Sequence, residues 1–111
     1  MERKSASKSE KQKAKRVRRK RLLIKALGGK CRAYGCNVTH YECLTFHHVM
    51  RYQYLKRFEI RHNNMTHSKE ALLKEAEICM LLCHNCHARV HAGTIKEPKF
   101  KRKPVKIDGK F

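Results

Sequence analysis

The chain has 111 residues, enough for one small domain, and only 41% of them are hydrophobic. A core of that size usually needs a disulfide or a metal as a staple, and six cysteines are available. The first 30 residues hold no apolar run longer than Leu22-Leu23-Ile24, so neither a signal peptide nor a membrane span is expected there. We therefore expect a cytoplasmic protein with reduced thiols, and metal binding is favoured over disulfides.

The formal charge of +19 is concentrated towards the two ends of the chain. Residues 1–30 carry 13 Lys/Arg and 2 Glu, and residues 94–111 carry 7 Lys/Arg and 2 acidic residues. Residues 31–93 carry 8 Lys/Arg and 5 Glu. Basic extensions around a nearly neutral centre are typical of a protein that holds a polyanion. A solvated tail without a partner is the alternative, and an anionic membrane surface is disfavoured because the N-terminal stretch has few apolar residues.

The first half of the chain predicts a basic helix, a turn and a strand. Good helix formers from about 10 to 27 are followed by two glycines, which predicts a helix whose last two turns dock on the core. Residues 31–36 contain Gly35 and predict a tight turn. Residues 43–49 combine apolar and β-branched side chains, which favours a strand.

The second half predicts two helices that flank a short strand. Residues 51–67 are expected to be mostly loop, and Ser68 is the predicted N-cap of a helix to about Glu77. The apolar run 78–82 predicts a strand, and a second helix is expected from about 85 to 92, ending at Gly93. The tail from Thr94 has two prolines and no periodicity.

The cysteine spacing predicts a structural zinc site. Cys83-x-x-Cys86 is a metal-knuckle spacing, in which two thiolates converge on one ion when the second cysteine opens a helix. Cys31 and Cys36, four residues apart around a glycine, are the candidate second pair. Two cysteines lie in apolar, strand-like runs without a paired neighbour and are interpreted as small buried hydrophobes: Cys43 and Cys79.

Four histidines predict a second, separate site. His87 and His91 are four residues apart, so they share one helix face and can bind one metal. Cys86 lies about 100° around that helix from His87, so the thiolates and imidazoles point to different sides. His47 and His48 are adjacent on the predicted strand and face opposite sides. One of them can complete the ion site, while the other stays free as a general base for water.

The motifs around these residues resemble those of HNH endonucleases, which are ββα-metal nucleases stabilised by cysteine-bound zinc. The resemblance covers 31–95 and depends on the first cysteine pair, on 44–48 (LTFHH) and on 78–93. The last block is the most specific, because it is similar to the pattern LLCxNCHxxxHxG that closes small phage and bacterial HNH proteins. The Lys-Arg-Phe stretch at 56–58 resembles a Lys-x-Phe stretch that often follows the double histidine in that group.

The resemblance implies a role for each candidate residue. His48 matches the general base that activates water and is the first H of the family name, and His87 matches the last. The catalytic divalent ion, which can be Mg²⁺, Mn²⁺, Ni²⁺ or Zn²⁺, would be held by His47, His87 and His91. The structural zinc would be held by Cys31, Cys36, Cys83 and Cys86.

The chain departs from the family pattern at two places. The first knuckle is C-x4-C where C-x-x-C is commoner. The family's central Asn is expected nine residues before His87, where this chain has Ile78. That Asn fastens the hairpin that carries the base, and the candidates to replace it here are Asn63, Asn64 and Glu77.

The chain is therefore expected to be a small α+β protein with a treble-clef-like, zinc-stapled ββα-metal core at 31–95. A basic N-terminal arm and helix at 1–30 and a basic, unstructured tail at 96–111 would flank it. The resemblance implies a metal-dependent endonuclease that hydrolyses DNA phosphodiester bonds in a bacterial or phage-infected cytoplasm. Contacts to the DNA phosphates are expected from Lys15, Arg16, Arg18, Arg19, Lys20, Arg21 and Arg89.

Two other functions remain open from the sequence. A non-catalytic zinc module that binds DNA or RNA explains the charge and the four cysteines, but not the four histidines as a set. A ribosome-associated protein is supported by charge and size alone. An endonuclease with one active site per chain would nick DNA as a monomer, and it would need a dimer, or two binding events, to break both strands.

Overall fold

The computed structural model describes residues 8–61, 65–109 and 111, and it shows a small α+β protein with a two-stranded antiparallel sheet. The described elements are α1 (Lys8–Ala26), β1 (Leu44–His48), α2 (Lys69–Ala76), β2 (Cys79–Cys83) and α3 (His84–His91), with 3-10 helices at Tyr41–Cys43 and Met50–Leu55. The predicted helices and strands are all present with ends shifted by one or two residues. The region predicted as mostly loop contains the second 3-10 helix.

The sheet register decides which side chains meet. Leu44 pairs with Cys83 and His48 pairs with Cys79, so alternate residues of β1 face opposite sides of the sheet. Phe46 and His48 share one face, and His47 lies on the other. A further backbone bond, from the Val49 N–H to the Ile78 carbonyl at 2.9 Å, extends the pairing beyond His48 and Cys79, at the end where the connection between the strands begins.

The end of α1 docks on the core, as predicted. Leu23 and Ile24 are 0% and 5% exposed, whereas the helix is mostly exposed before residue 16. Gly28 and Gly29 both have positive φ, and the Gly29 N–H bonds the Ile24 carbonyl at 2.8 Å. Glycine adopts this left-handed conformation without a Cβ penalty, so the pair ends the helix where its apolar residues end.

Helix α2 begins at the predicted cap. The Ser68 hydroxyl accepts a hydrogen bond from the Ala71 N–H at 3.2 Å, which satisfies one of the donors left open at the helix N-terminus. Its buried residues are Leu72, Glu75 and Ala76, at the i, i+3, i+4 spacing of one face. A carboxylate therefore faces the core together with two apolar side chains.

The C-terminal segment corrects the prediction of an unstructured tail. Its described residues 94–109 form no helix or strand, yet they pack along the core. Phe100, Val105 and Ile107 are partly buried against the core cluster, and Phe111 is buried. Isolated apolar side chains can dock without any periodicity, so the sequence carried no pattern that could reveal this packing. No helix in the described part of the chain is long and apolar enough to cross a membrane.

Candidate metal centre

Four cysteines from two distant parts of the chain form a compact cluster. The sulfur atoms of Cys31, Cys36, Cys83 and Cys86 all lie within 4.8 Å of one another, and the Sγ atoms of Cys36 and Cys83 are 3.9 Å apart. Cys83 is the N-cap of α3 and Cys86 lies in its first turn, which is the predicted knuckle geometry. None of the six cysteines forms a disulfide. Four converging thiols are a suitable donor set for a structural zinc ion.

The thiols of this cluster interact strongly. Burial raises the pKa of Cys86, and the neighbouring thiols raise it further. Burial also opposes ionisation of Cys83, but hydrogen bonds led by that from the Cys86 N–H outweigh it, and the net effect lowers the pKa of Cys83. The Cys83 N–H in turn donates to the Cys31 sulfur at 3.3 Å. Further thiolates in this space would repel one another, and a divalent cation among them removes that cost.

Three histidines form a second cluster on another side of α3. One ring nitrogen from each of His47, His87 and His91 lies within 4.8 Å of the other two, and the Nε2 atoms of His87 and His91 are 3.0 Å apart. His47 is 1% exposed and comes from the face of β1 that looks towards α3. The sequence predicted this i,i+4 pair and its separation from the cysteines. In the structure the histidines and the cysteines form two separate clusters.

The histidine cluster fits a divalent ion. Burial lowers the pKa of His87, and the neighbouring His91 and His47 rings lower it further, so the neutral imidazole is favoured. Neutral imidazole is the form that binds metal. The Nδ1 atom of His47 is buried and no described residue hydrogen-bonds it. Three imidazoles also leave coordination positions for water or an oxygen ligand, whereas four thiolates close a tetrahedral site.

His48 lies on the opposite face of the sheet from the histidine cluster. It is 3% exposed, and its Nε2 atom is 2.8 Å from a carboxylate oxygen of Glu75. Its Nδ1 atom is 3.9 Å from a carboxylate oxygen of Glu59. The strand alternation separates the two histidines as predicted, and His48 is not in the donor group; its ring is buried and hydrogen-bonded to Glu75.

Two carboxylates at these sites were not singled out from the sequence. Glu75 accepts from His48 and also from the Arg57 N–H at 3.1 Å. Its position on the apolar face of α2 is a sequence signal that could have identified it. Glu97 lies 2.5 Å from Nε2 of His47 and also accepts from the Met50 N–H at 2.9 Å. It is 50 residues from His47 in an irregular segment, and no local pattern marks it.

The strand end near His48 is fastened by Gln53 and Ile78 and not by the Asn that the resemblance would imply. The Gln53 side chain donates to the His48 carbonyl at 3.0 Å, and the buried Ile78 contributes its own carbonyl to the hairpin. Of the predicted substitutes, Glu77 is the C-cap of α2. The other two, Asn63 and Asn64, lie outside the described residues.

The predicted DNA-contacting residues fall into two sets. Arg19 is engaged within the protein: it donates to the carbonyls of Met65 and His67 at 2.7 and 3.0 Å. Cations of α1 also lie over aromatic rings: Arg19 over Phe111, and Lys20 and Arg21 over Tyr41. Residues that are partly buried are Arg16, Arg19 and Lys20, and those that are exposed are Lys15, Arg18, Arg21 and Arg89.

Two sets of candidate metal donors therefore lie on different sides of α3. The four thiols would close a tetrahedral site, and the three imidazoles would leave coordination positions open. No protein-family model matches this chain, and the comparisons with curated proteins and with solved structures find no match either.

Proposed function

We propose that the protein is a metal-dependent endonuclease of the HNH type, with a zinc-stapled ββα-metal core of treble-clef-like form. The observation that carries the proposal is the cluster of His47, His87 and His91, which offers three imidazole nitrogens and leaves positions open for oxygen ligands. The neighbouring cysteine cluster supports it, because a hairpin and a helix stapled by zinc hold both sides of the histidine cluster in place.

Each residue has a defined task in this proposal. A divalent ion, when bound, supplies neutralisation of the phosphate charge and stabilisation of the leaving 3′ oxygen. The three histidines bind that ion. The resemblance assigns His48 as the general base. The Glu75 carboxylate accepts from Nε2, so Nδ1 is the nitrogen that could take a proton from water. Because the ring is buried on the face of the sheet opposite the three histidines, that step would require His48 to become exposed. An orienting carboxylate behind a histidine is a recurring device for fixing the tautomer of a base.

The distribution of basic residues supports DNA as the polyanion. Lys15, Arg18 and Arg21 are exposed on α1, and Arg89 is exposed on α3. A groove near the end of α1 adds further cations, which are Lys25, Arg32, Lys101, Lys103 and Lys106. Contacts of this kind bind phosphates without reading bases, so the affinity should fall steeply with salt.

A plasmid-cleavage assay tests the proposal. The zinc-loaded protein is incubated with supercoiled plasmid and Mg²⁺, Mn²⁺, Ni²⁺ or Zn²⁺, and compared with His87→Ala and His48→Ala. His40→Ala is the matched control, because His40 is exposed and lies outside both clusters. We expect the control to cut as the original chain does, and both test variants to lose at least 100-fold in rate, in line with the usual contribution of a general base. Cutting by His87→Ala at the control rate would overturn the metal site, and the same result for His48→Ala would overturn the base.

The burial of His48 favours a second candidate, a non-catalytic zinc module that binds DNA or RNA. In that case the pair of His48 and Glu75 is a structural element and the basic surface supplies the whole function. Metal counting separates the two: one zinc per chain, with no second divalent ion bound and no plasmid cut, supports the binding module.

A further inference from the structure

Glu97 connects the C-terminal segment to the histidine cluster. One of its carboxylate oxygens lies 2.5 Å from Nε2 of His47 and 2.9 Å from the backbone nitrogen of Met50. Glu97 is 21% exposed and His47 is 1% exposed, so the contact is largely shielded from water. Because a shielded hydrogen bond to a carboxylate is strong, this contact can control the tautomer of the His47 imidazole.

The contact determines which nitrogen of His47 carries the proton. A carboxylate is an acceptor, so Nε2 must donate to it, and the neutral ring then has its free lone pair on Nδ1. Nδ1 is buried, and no described residue hydrogen-bonds it. Among the described residues, the cluster of donor atoms within 4.8 Å consists of three imidazoles and does not include Glu97. Glu97 is therefore placed behind His47 rather than among the ligands.

The segment that carries Glu97 is itself held in place. The Arg51 guanidinium donates to the Phe100 carbonyl, and the Phe100 ring lies edge-on to Tyr52 with the centroids 6.1 Å apart. Arg51 and Tyr52 both belong to the 3-10 helix that follows β1. The Met50 N–H, at the start of that helix, bonds Glu97 directly. The C-terminal segment is thus fastened, at Glu97 and at Phe100, to the 3-10 helix that directly follows the strand of His47.

We propose that Glu97 is a positioning residue for the histidine metal site: it fixes His47 as the Nε2–H tautomer, so that Nδ1 is its metal-ligating atom. The inference rests on the metal site of the proposed function. Carboxylates behind metal-bound histidines fix the ring orientation and the tautomer, and their loss typically costs 10- to 100-fold in metal affinity. The C-terminal segment is then a part of the metal centre and not an accessory tail.

The tautomer is the first readout of the test. Nitrogen NMR of the ¹⁵N-histidine-labelled, zinc-loaded protein is recorded without added second metal, at a pH where the imidazoles are neutral. We expect His47 to carry its proton on Nε2 in the original chain and to become a mixture of tautomers in Glu97→Ala. A predominant Nδ1–H form in the original chain, or an unchanged tautomer in Glu97→Ala, would overturn the proposal.

Metal affinity is the second readout. Calorimetric titration with Ni²⁺ should show binding about 10- to 100-fold weaker in Glu97→Ala, with Glu97→Asp recovering part of the loss. The matched control is Glu42→Gln, because Glu42 is an exposed acid away from the histidine cluster. Equal Ni²⁺ affinity in Glu97→Ala and the control would also overturn the proposal. If the original chain binds Ni²⁺ through this site but cuts no plasmid, the endonuclease proposal fails and the role of Glu97 stands.

Discussion

The pair of His48 and Glu75 gives the most direct test of how this hairpin is held. Glu75 is 3% exposed and accepts two hydrogen bonds, from Nε2 of His48 at 2.8 Å and from the Arg57 N–H at 3.1 Å. Replacing Glu75 by Leu leaves the buried Nε2–H of His48 and the partly buried N–H of Arg57 without this acceptor. Both bonds end on the same carboxylate oxygen, Oε2, so the carbonyl oxygen of a Gln can accept both, and the substitution removes the charge.

The two substitutions should differ in cost. Hydrogen bonds to charged groups contribute about 1.5–3 kcal/mol each and neutral ones about 0.5–1.5 kcal/mol, so Glu75→Gln should lower the free energy of unfolding by about 1–1.5 kcal/mol for each of the two bonds. Breaking a buried pair by removing one partner costs about 3–5 kcal/mol, and this is the expectation for Glu75→Leu. Small domains have a total stability of about 5–15 kcal/mol, so the second change should leave a marginal fold.

Urea unfolding of the zinc-loaded protein, followed by circular dichroism, measures these differences. Glu70→Gln is the control, because Glu70 is an exposed acid in the first turn of the same helix. Its loss should cost about 0.3–1 kcal/mol through the helix dipole. If Glu75→Gln unfolds at the same urea concentration as the control, the buried pair does not stabilise the hairpin, and Glu75 loses its assigned part in orienting the base.

Four further results are expected. Cys86→Ser should lose the zinc that native mass spectrometry detects, while Cys43→Ser keeps it; equal zinc in both would remove the cysteine site. Burial raises the pKa of Cys79 far above its usual value, so iodoacetamide should modify Cys43 long before Cys79 in the folded protein, and the reverse order would contradict this placement. Ser68→Ala should lower the free energy of unfolding by about 1 kcal/mol through the lost cap, and an unchanged urea midpoint would count against it. Arg19→Ala should speed proteolysis around residues 65–67, whose carbonyls it binds, and an unchanged cleavage pattern would show that this contact does not hold the segment.

The sequence by itself determined the local elements and the grouping of the metal donors. Spacing was sufficient for this, because Cys83 and Cys86 share one helix start, and His87 and His91 share one helix face whatever the rest of the fold does. Strand alternation likewise places His47 and His48 on opposite faces of the sheet, whatever packs against it. These placements follow from helix and strand geometry alone, so they agree between the sequence prediction and the structure.

The tertiary structure alone decided what each histidine contacts. His48 meets a carboxylate 27 residues away on α2, and His47 meets one 50 residues away in the irregular C-terminal segment. Neither contact has a period or a local spacing, because each depends on how separately formed elements pack and not on backbone geometry within one of them. The same packing buries His48 and brings Glu97, from the segment expected to be a tail, against His47.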